Sequence, residues 1–440
     1  MQKSPLPLTS ADLAFAPLAL AAITATWVPL AVGGLQLVDI FIALSAPLCL
    51  VHILATRRQI PRLPWWLMIG TLGIVLVIVA HTFFPTSDSY MARRSILSAK
   101  DMVFDTPEAS ALGGVQWILA LLVLPALVAI AVQGKKQRAS ALLRFWMLGA
   151  SISSLVAITD YVGVTSINLA LTGLVNISGR EGGLTLHPNN MGIAAALTIP
   201  VAIHYATRNR FLGSVCIVTL AAGAFLSGSR AAQIATLVAV VVSIAWSKRK
   251  GPIVRRLAAT VIASAVVVQT LFSDMITKAF GLFRFDSVTA DDSDAGRAVI
   301  FAQGLSDFFE RPFFGVGLEV IAHAHSIYVQ ILAAGGLVLA LTMACFLCGA
   351  LARSTTLART GEVLGPVFMG SLAAWLVAGI ASNQLTDRYI YFGIAAMVAL
   401  DAYGRAEADE PVLAIATTAV STRRKLPRLP ATALLGASRR

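Results

Sequence analysis

Charged residues are scarce in this chain. Only 13% of its 440 residues are Asp, Glu, Lys or Arg, and 57% are hydrophobic, whereas a typical soluble domain is about 25% charged. A chain so poor in charge cannot cover a water-facing surface with polar groups. This excludes a soluble enzyme, a disordered scaffold and a nucleic-acid-binding module. The composition indicates a polytopic membrane protein that is surrounded by membrane lipid.

Cysteine is also rare, and its placement gives no sign of a disulfide framework. The chain has four cysteines, all in apolar stretches. Cys345 and Cys348 form a CxxC pair, but the pair falls well inside a predicted membrane span. We interpret both residues as small apolar packing residues rather than as a redox or metal motif.

Long apolar runs dominate the rest of the sequence. A helix needs about 20 mostly apolar residues to cross a bilayer, and the sequence predicts an all-α fold with about twelve such helices. The predicted spans are 13–32, 35–54, 65–84, 112–133, 142–160, 189–206, 211–228, 231–246, 253–272, 326–351, 364–383 and 389–404. We interpret the first as an uncleaved anchor.

The basic residues set the predicted orientation. With the N-terminus in the cytoplasm and the spans alternating, the cytoplasmic segments hold 24 of the 34 basic residues but only 6 of the 22 acidic ones. This bias is the positive-inside pattern. It predicts that both termini are cytoplasmic.

Three outer segments are long: 85–111, 161–188 and 273–325, the last between spans 9 and 10. Helical spacing of apolar residues predicts an amphipathic helix over 295–310, with a cap at Ser293 or Asp294 and a stop at Pro312. We therefore predict one membrane domain, 1–404, that includes loop 273–325. The basic segment 405–440 is predicted to be a disordered cytoplasmic tail near anionic lipid headgroups.

Ionisable residues are missing from the middle of every predicted span. Ion-coupled transporters place such residues there as binding sites or relays, although each is costly in the bilayer. We therefore expect the chemistry of this protein at its outer rim.

Two arginine motifs stand before predicted spans on that side. Residues 179–183 read Gly-Arg-Glu-Gly-Gly, and His187, Pro188 and Asn189 follow at the start of the next span. Arg180 offers a planar fork for phosphate oxygens, and Asn189 is placed to cap the helix. Arg230 follows Ser229 in a short outer turn. For both arginines the alternative is a simple anchor at the membrane interface.

Two more motifs lie in and after the long outer loop. Arg297 is placed in the first turn of the predicted amphipathic helix, where its charge opposes the helix dipole. His323, His325 and Tyr328 stand at the start of span 10. A histidine there serves either as a general base or as a structural hydrogen-bonding residue.

Metal binding is not favoured by the sequence. No second cluster of soft ligands accompanies the His323 and His325 pair. Asp291, Asp292 and Asp294 could form a cation site or simply a solvated acidic loop. We favour the solvated loop. We expect no metal and no cofactor.

Together these motifs resemble the O-antigen ligase and polymerase superfamily. The resemblance is strongest over 296–336, where the family's residues stand in order. These are Arg297, Pro312, Gly315, Gly317, His325, Tyr328 and Gly336. His187-Pro188-Asn189 and Ser229-Arg230 match its earlier motifs. Two features depart from the pattern: Ser326 follows His325 where asparagine is common, and His323 is a second histidine beside it.

The resemblance implies a metal-independent, inverting glycosyltransferase of the bacterial cytoplasmic membrane with its active site outside. Such an enzyme takes a glycan from an undecaprenyl-diphosphate carrier to an acceptor hydroxyl, with lipid A–core as the acceptor of a ligase. By motif position, His325 is the general base, while Arg297, Arg230 and Arg180 hold the diphosphate. His323, His187, Asn189 and Tyr328 are supporting residues.

Other functions stay open from the sequence. A polymerase joins carrier-linked repeats instead, and an O-oligosaccharyltransferase uses a protein acceptor. A metal-dependent polyprenyl-phosphate sugar transferase requires acidic residues in the first outer loop, which offers only Asp39. A lipid-linked glycan flippase or exporter is the non-enzyme alternative.

Overall fold

The structure is a computed structural model, and nearly all of it is helical. It describes residues 9–32, 35–57, 60–93, 107–132, 135–173, 179–248, 250–271, 288–318, 325–382 and 384–401. His323, the predicted tail 405–440 and residues 273–287 of the long outer loop lie outside these ranges.

The described residues form sixteen helices and one small strand pair, which confirms an all-α fold. The first helices are α1 Ser10–Thr24, α2 Leu37–Thr56, α3 Trp65–Phe83, α4 Asp88–Arg93, α5 Pro107–Ile118, α6 Leu124–Val132, α7 Lys136–Tyr161 and α8 Ile167–Thr172. The second group is α9 Pro188–Ala206, α10 Arg210–Leu226, α11 Arg230–Trp246, α12 Lys250–Leu271, α13 Val288–Glu310, α14 Ile327–Thr360, α15 Gly365–Ala378 and α16, residues 388–401. A π-helical turn, Leu119–Val123, joins α5 to α6. Strands β1 Ala31–Val32 and β2 Leu35–Gln36 pair antiparallel.

Each of the twelve predicted spans coincides with a helix, α5 and α6 counting as one. Five helical segments among the described residues are long and apolar enough to cross a membrane: Leu37–Thr56, Trp65–Phe83, Ala111–Val132, Lys136–Tyr161 and Ile327–Thr360. Shorter apolar helices, including α1, α10, α11 and α15, pack beside them. The protein is therefore a membrane protein, and the number of twelve spans stays a prediction.

Several predicted boundaries are wrong: α7 begins at Lys136 rather than at 142, and α14 continues to Thr360 rather than ending at 351. Two further differences have a physical reason. The first run was expected to reach residue 32, but α1 ends at Thr24, because Pro29 cannot continue a helix and the β1–β2 pair follows. Helix α13 begins at Val288 rather than at 295, so Ser293 and Asp294 lie inside the helix and do not cap it. Residues 288–294 contain no proline or glycine that would stop a helix there. The end of α13 at Glu310, before Pro312, is as predicted.

The CxxC pair also differs from expectation. Cys345 and Cys348 are free and exposed on α14, one helical turn apart on the same face. They do not pack into the core. A polarizable thiol is compatible with a lipid-facing position.

Helix α9 is the centre of the bundle. Of its 19 residues, 17 are buried, and it packs against α7, α10, α11 and α15. A helix that is apolar on all sides is stable only when neighbours surround it. The first turn of α9 is therefore held at a fixed place at one end of the bundle.

Helix α14 is interrupted at Gly336, whose φ of 58° and ψ of −153° are not helical. The loop 312–317 after α13 lies against this break and supplies the missing hydrogen-bond partners. The bonds are Leu337 N to Pro312 O (2.7 Å), Val338 N to Phe313 O (3.1 Å), Val316 N to Ala333 O (2.8 Å) and Gly317 N to Ala334 O (3.1 Å). Non-helical backbone at membrane depth needs such partners inside the protein. The break thus fixes α13 to the bundle.

Gly336→Ala should destabilise the protein by at least ~1–3 kcal/mol, because this backbone conformation is nearly restricted to glycine. An alanine Cβ would also lie 2.5 Å from Pro312 O. Thermal unfolding in detergent measures the effect. Gly296→Ala is the control, since it lies in α13 with no atom near the new Cβ, and it should be neutral or stabilising by about 0.5–1 kcal/mol. Equal stability of the two variants would contradict this account of the break.

Candidate functional site

The first turn of α9 is capped by His187. Its Nδ1 accepts a hydrogen bond from the backbone N–H of Asn189 at 3.1 Å, and Pro188 occupies the first helical position. The expectation that Asn189 caps this helix is wrong. Proline has no N–H and a fixed φ that suits the first helical position, so the cap falls one residue before it. This leaves the Asn189 side chain available for another contact.

Asn189 and the α10–α11 turn together hold Arg180. The Nε of Arg180 donates to Ser227 O at 2.8 Å, and an Nη donates to Asn189 Oδ1. Gly228 lies against the side chain, because a Cβ there would be 2.9 Å from the Arg180 Cγ. These contacts fix the guanidinium, which keeps its charge, between the start of α9 and the turn after α10.

Arg230 begins α11 at this same turn. Ser229 is the cap of α11 and accepts a hydrogen bond from the Ala232 N–H at 3.4 Å. The Arg230 side chain is exposed, and Arg230 lies three positions after Ser227, whose backbone oxygen binds Arg180. The turn therefore brings a second guanidinium to this end of the bundle.

His187 responds to charges from three other segments. The surrounding protein lowers its pKa to about 4, first through desolvation and then through the positive charges of Arg180, His325 and Arg297. A charge acts strongly on a pKa only when it is near. Charges from three segments far apart in sequence, carried by Arg180, His325 and Arg297, thus contribute to one pKa shift, in which desolvation is the larger cause.

A neutral His187 is required by its role as a cap. With Nδ1 accepting from the backbone, the ring proton belongs on Nε2. Because the pKa is about 4, this form holds at neutral pH. His187 is thus a fixed element of the site, and a proton on Nδ1 would break the cap.

His325 lies in the left-handed region, with φ of 48°. The following residues hold it there: Ser326 and Ile327 are buried, and the Ile327 N–H donates to Gly379 O at 2.8 Å. A left-handed conformation costs a residue with a Cβ roughly 1–2 kcal/mol. Backbone strain of this kind occurs at functional sites that the surrounding structure over-determines.

Tyr328 contacts a neighbouring helix. Its hydroxyl donates to Leu376 O near the end of α15 at 2.7 Å. This bond ties the start of α14 to α15 and so helps to position His325, three residues earlier.

The segment between α15 and α16 contacts the first turn of α9, and no prediction was made for it from the sequence. Gln384 donates to Asn190 Oδ1 at 2.6 Å and accepts from Ser382, which joins the segment to α9. Arg388 pairs with Asp39 at 2.9 Å. Desolvation raises the pKa of Asp387 to about 6, against the opposing charge of Arg388. The sequence signal that could have indicated this segment is its run of polar residues between two apolar helices.

The described residues contain no group of three or more His, Cys, Asp or Glu side chains that could hold a metal ion. The side chains of Asp291, Asp292 and Asp294 lie outside those described. At the end of the bundle where α9 begins, the arginine and histidine side chains are suited to binding an anion.

The fold and the site define a class: a helical membrane protein with a cluster of cationic side chains at one end of its bundle. Residues 215–344 match the family model described as O-Antigen ligase. The resemblance to the O-antigen ligase superfamily is thereby confirmed over this stretch, which contains Arg230, Arg297 and His325. No curated protein matches the chain.

Proposed function

We propose that the protein transfers an oligo- or polysaccharide from an undecaprenyl-diphosphate carrier to an acceptor hydroxyl on the outer face of the bacterial cytoplasmic membrane. One observation carries the proposal: the Arg180 guanidinium is held at the start of α9, beside the His187 imidazole, whose pKa the charges of Arg180 and Arg297 lower. A cationic cluster beside an imidazole suits a reaction in which a diphosphate leaves.

The orientation of the chain supports an outer-face site. The cluster is at the end of the bundle where α9 and α11 begin and α10 ends. The loops at the opposite end carry the basic residues that the positive-inside rule assigns to the cytoplasm. A carrier diphosphate at headgroup depth would meet the cluster directly.

The arginines are proposed to hold the diphosphate. A guanidinium can bind two phosphate oxygens at once, and charge-assisted bonds of this kind are the strongest in proteins. Arg297 and Arg230 would bind the phosphates. Arg180, fixed by Ser227 and Asn189, would add its charge from the side.

His325 is proposed as the general base. Its imidazole takes the proton of the acceptor hydroxyl as that oxygen attacks the anomeric carbon, and the bond from that carbon to the diphosphate oxygen breaks. The leaving diphosphate takes the electron pair, and the arginines neutralise its charge. Direct displacement inverts the anomeric configuration. His187 is unsuited to this role because its Nδ1 caps α9.

The proposed acceptor is lipid A–core, as in a ligase. The alternative is a polymerase, which uses a second carrier-linked repeat at the same cationic site. Analysis of the surface glycan in a deletion strain separates the two. A ligase mutant retains long carrier-linked chains, whereas a polymerase mutant has single repeats.

A metal-dependent transferase is disfavoured by the pairing of Asp39 with Arg388. Asp39 lies in the first turn of α2 and not in an outer loop. Transfer should therefore continue in EDTA. Loss of transfer in EDTA with recovery in Mn²⁺ would contradict the proposal. Flipping of lipid-linked glycan in liposomes with no transfer product would favour an exporter instead.

Gly228→Ala should reduce transfer about tenfold or more by displacing Arg180. The new Cβ would lie 2.9 Å from the Arg180 Cγ and 3.1 Å from its Nε. Gly163→Ala is the matched control, because Gly163 also has a positive φ but no atom near a Cβ. Both changes strain the backbone, and only the first moves Arg180. Equal transfer rates for the two variants, measured in membranes, would contradict the role of Arg180.

A further inference from the structure

A polar cavity lies at the opposite end of the bundle from the cationic cluster. It has a volume of about 390 Å³ and lies where α9, α11 and α14 end and where α12 and α15 begin. Its lining includes His204 and Arg208, Ser243 and Lys248, and Glu362. Ligand sites in proteins begin at about this size.

Two buried polar groups in this cavity have no partner in the described part of the chain. His204 is 7% exposed and Ser243 is 4% exposed, and neither the His204 Nε2 nor the Ser243 Oγ has a hydrogen bond. A buried polar atom left without a partner costs roughly 1–3 kcal/mol. A ligand that hydrogen bonds to these two atoms would recover this cost.

The charges at the mouth of the cavity favour an anion. Arg208 and Lys248 both line it. The acidic group in the lining, Glu362, is already paired with Lys136 at 2.6 Å. The helix ends and helix starts around the cavity contribute partial charges of both signs. The net charge at the mouth of the cavity is therefore set by the side chains, and it is positive.

The neighbouring basic residues are engaged elsewhere. Arg256 donates to Ala206 O at 3.1 Å, and the Arg359 guanidinium lies 6.0 Å from the Trp246 ring centroid. Lys248 is confined, because its Nζ lies 2.4 Å from the position of a Cβ on Gly361. The cavity thus keeps two cationic groups near its mouth and an imidazole and a hydroxyl deeper inside.

We propose that this cavity binds a polyol phosphate, such as the phosphoglycerol headgroup of an anionic phospholipid or a soluble ester of the same chemistry. Arg208 and Lys248 bind the phosphate, while His204 and Ser243 hydrogen bond the hydroxyl groups. The site faces the cytoplasm by the positive-inside orientation. It is separate from the proposed transfer site and does not depend on it.

The experiment uses the full-length purified protein in phosphatidylcholine nanodiscs with increasing phosphatidylglycerol. Native mass spectrometry counts the phosphatidylglycerol that stays bound. Wild type should bind it saturably and in preference to phosphatidylcholine. The double variant Arg208→Gln/Lys248→Gln should bind it at least about tenfold more weakly, since one basic residue near the surface contributes roughly fivefold.

The matched control is Arg210→Gln/Lys250→Gln. It removes the same charge two residues further along each segment, at positions that do not line the cavity. Its binding should equal that of wild type. A second pair, His204→Phe/Ser243→Ala, removes the inner polar groups without removing charge and should also weaken binding. Size-exclusion profiles verify that each variant is folded.

A competition experiment with glycerol 3-phosphate distinguishes a lipid headgroup from a soluble phosphate ester as the ligand. This experiment uses only the wild-type protein. Competition by millimolar glycerol 3-phosphate would support the site and assign it to a soluble ester. Retention of phosphatidylglycerol in its presence would support the lipid headgroup. Equal binding by the two charge variants, or no saturable binding of either compound, would overturn the proposal.

Discussion

His325→Gly should abolish glycan transfer while leaving the protein folded. The loss should be at least about 10²- to 10⁴-fold, the usual contribution of a general base. Glycine is the sharpest replacement because His325 has a φ of 48°, which glycine adopts without steric cost. The backbone turn before α14 therefore survives, and only the imidazole is lost. Transfer in membranes and thermal unfolding in detergent are measured together.

His323→Ala is the matched control for this prediction. It removes an imidazole two residues away, and transfer should change little. Added imidazole should partly restore the His325→Gly variant, because the missing base is small and soluble. Normal transfer by His325→Gly, or a loss confined to His323→Ala, would show that His325 is not the base.

Arg297→Gln should reduce kcat/KM for the carrier-linked donor by about 10- to 100-fold. Charge-assisted hydrogen bonds contribute about 1.5–3 kcal/mol each, and each 1.4 kcal/mol is a factor of about ten. Arg297→Lys should recover only part of this, because an ammonium group cannot bind two oxygens in one plane. Purified enzyme with a short carrier-diphosphate donor gives the rates.

Arg311→Gln controls for loss of charge near the same helix. Arg311 directly follows α13 and donates to Phe84 O at 2.8 Å and to the Thr86 hydroxyl at 3.1 Å, so its side chain is structural. This variant should lower stability without raising the KM for the donor. Equal effects of Arg297→Gln and Arg311→Gln on kcat/KM would contradict a role for Arg297 in diphosphate binding.

Hydropathy was sufficient to place the helices because a membrane helix needs a continuous apolar run. It could not predict that α1 stops at Thr24 or that α13 starts at Val288. The first boundary depends on Pro29 and a nearby strand pair, and the second on a polar stretch without a helix-breaking residue, rather than on apolar length. The break at Gly336 depends on a loop that is distant in sequence, so periodicity gives no sign of it.

The candidate site was predictable as a set of residues and not as a set of contacts. Arg180, Arg297 and His325 were selected from their motifs, and all three act on His187. The bond from Arg180 to Asn189 was not predictable, because Asn189 was expected to be the cap. The link from Gln384 to Asn190 joins segments almost two hundred residues apart. Pairing at that separation is set by helix packing.

The central claim is that arginines from separate segments bind a diphosphate beside His325. Cryo-electron microscopy of the protein with a short polyprenyl diphosphate tests it most directly. The expected result is a diphosphate in contact with Arg297 and Arg230, near Arg180, with its lipid tail in the membrane and His325 facing the phosphate from the acceptor side. A diphosphate bound elsewhere, with these arginines unchanged, would contradict the account.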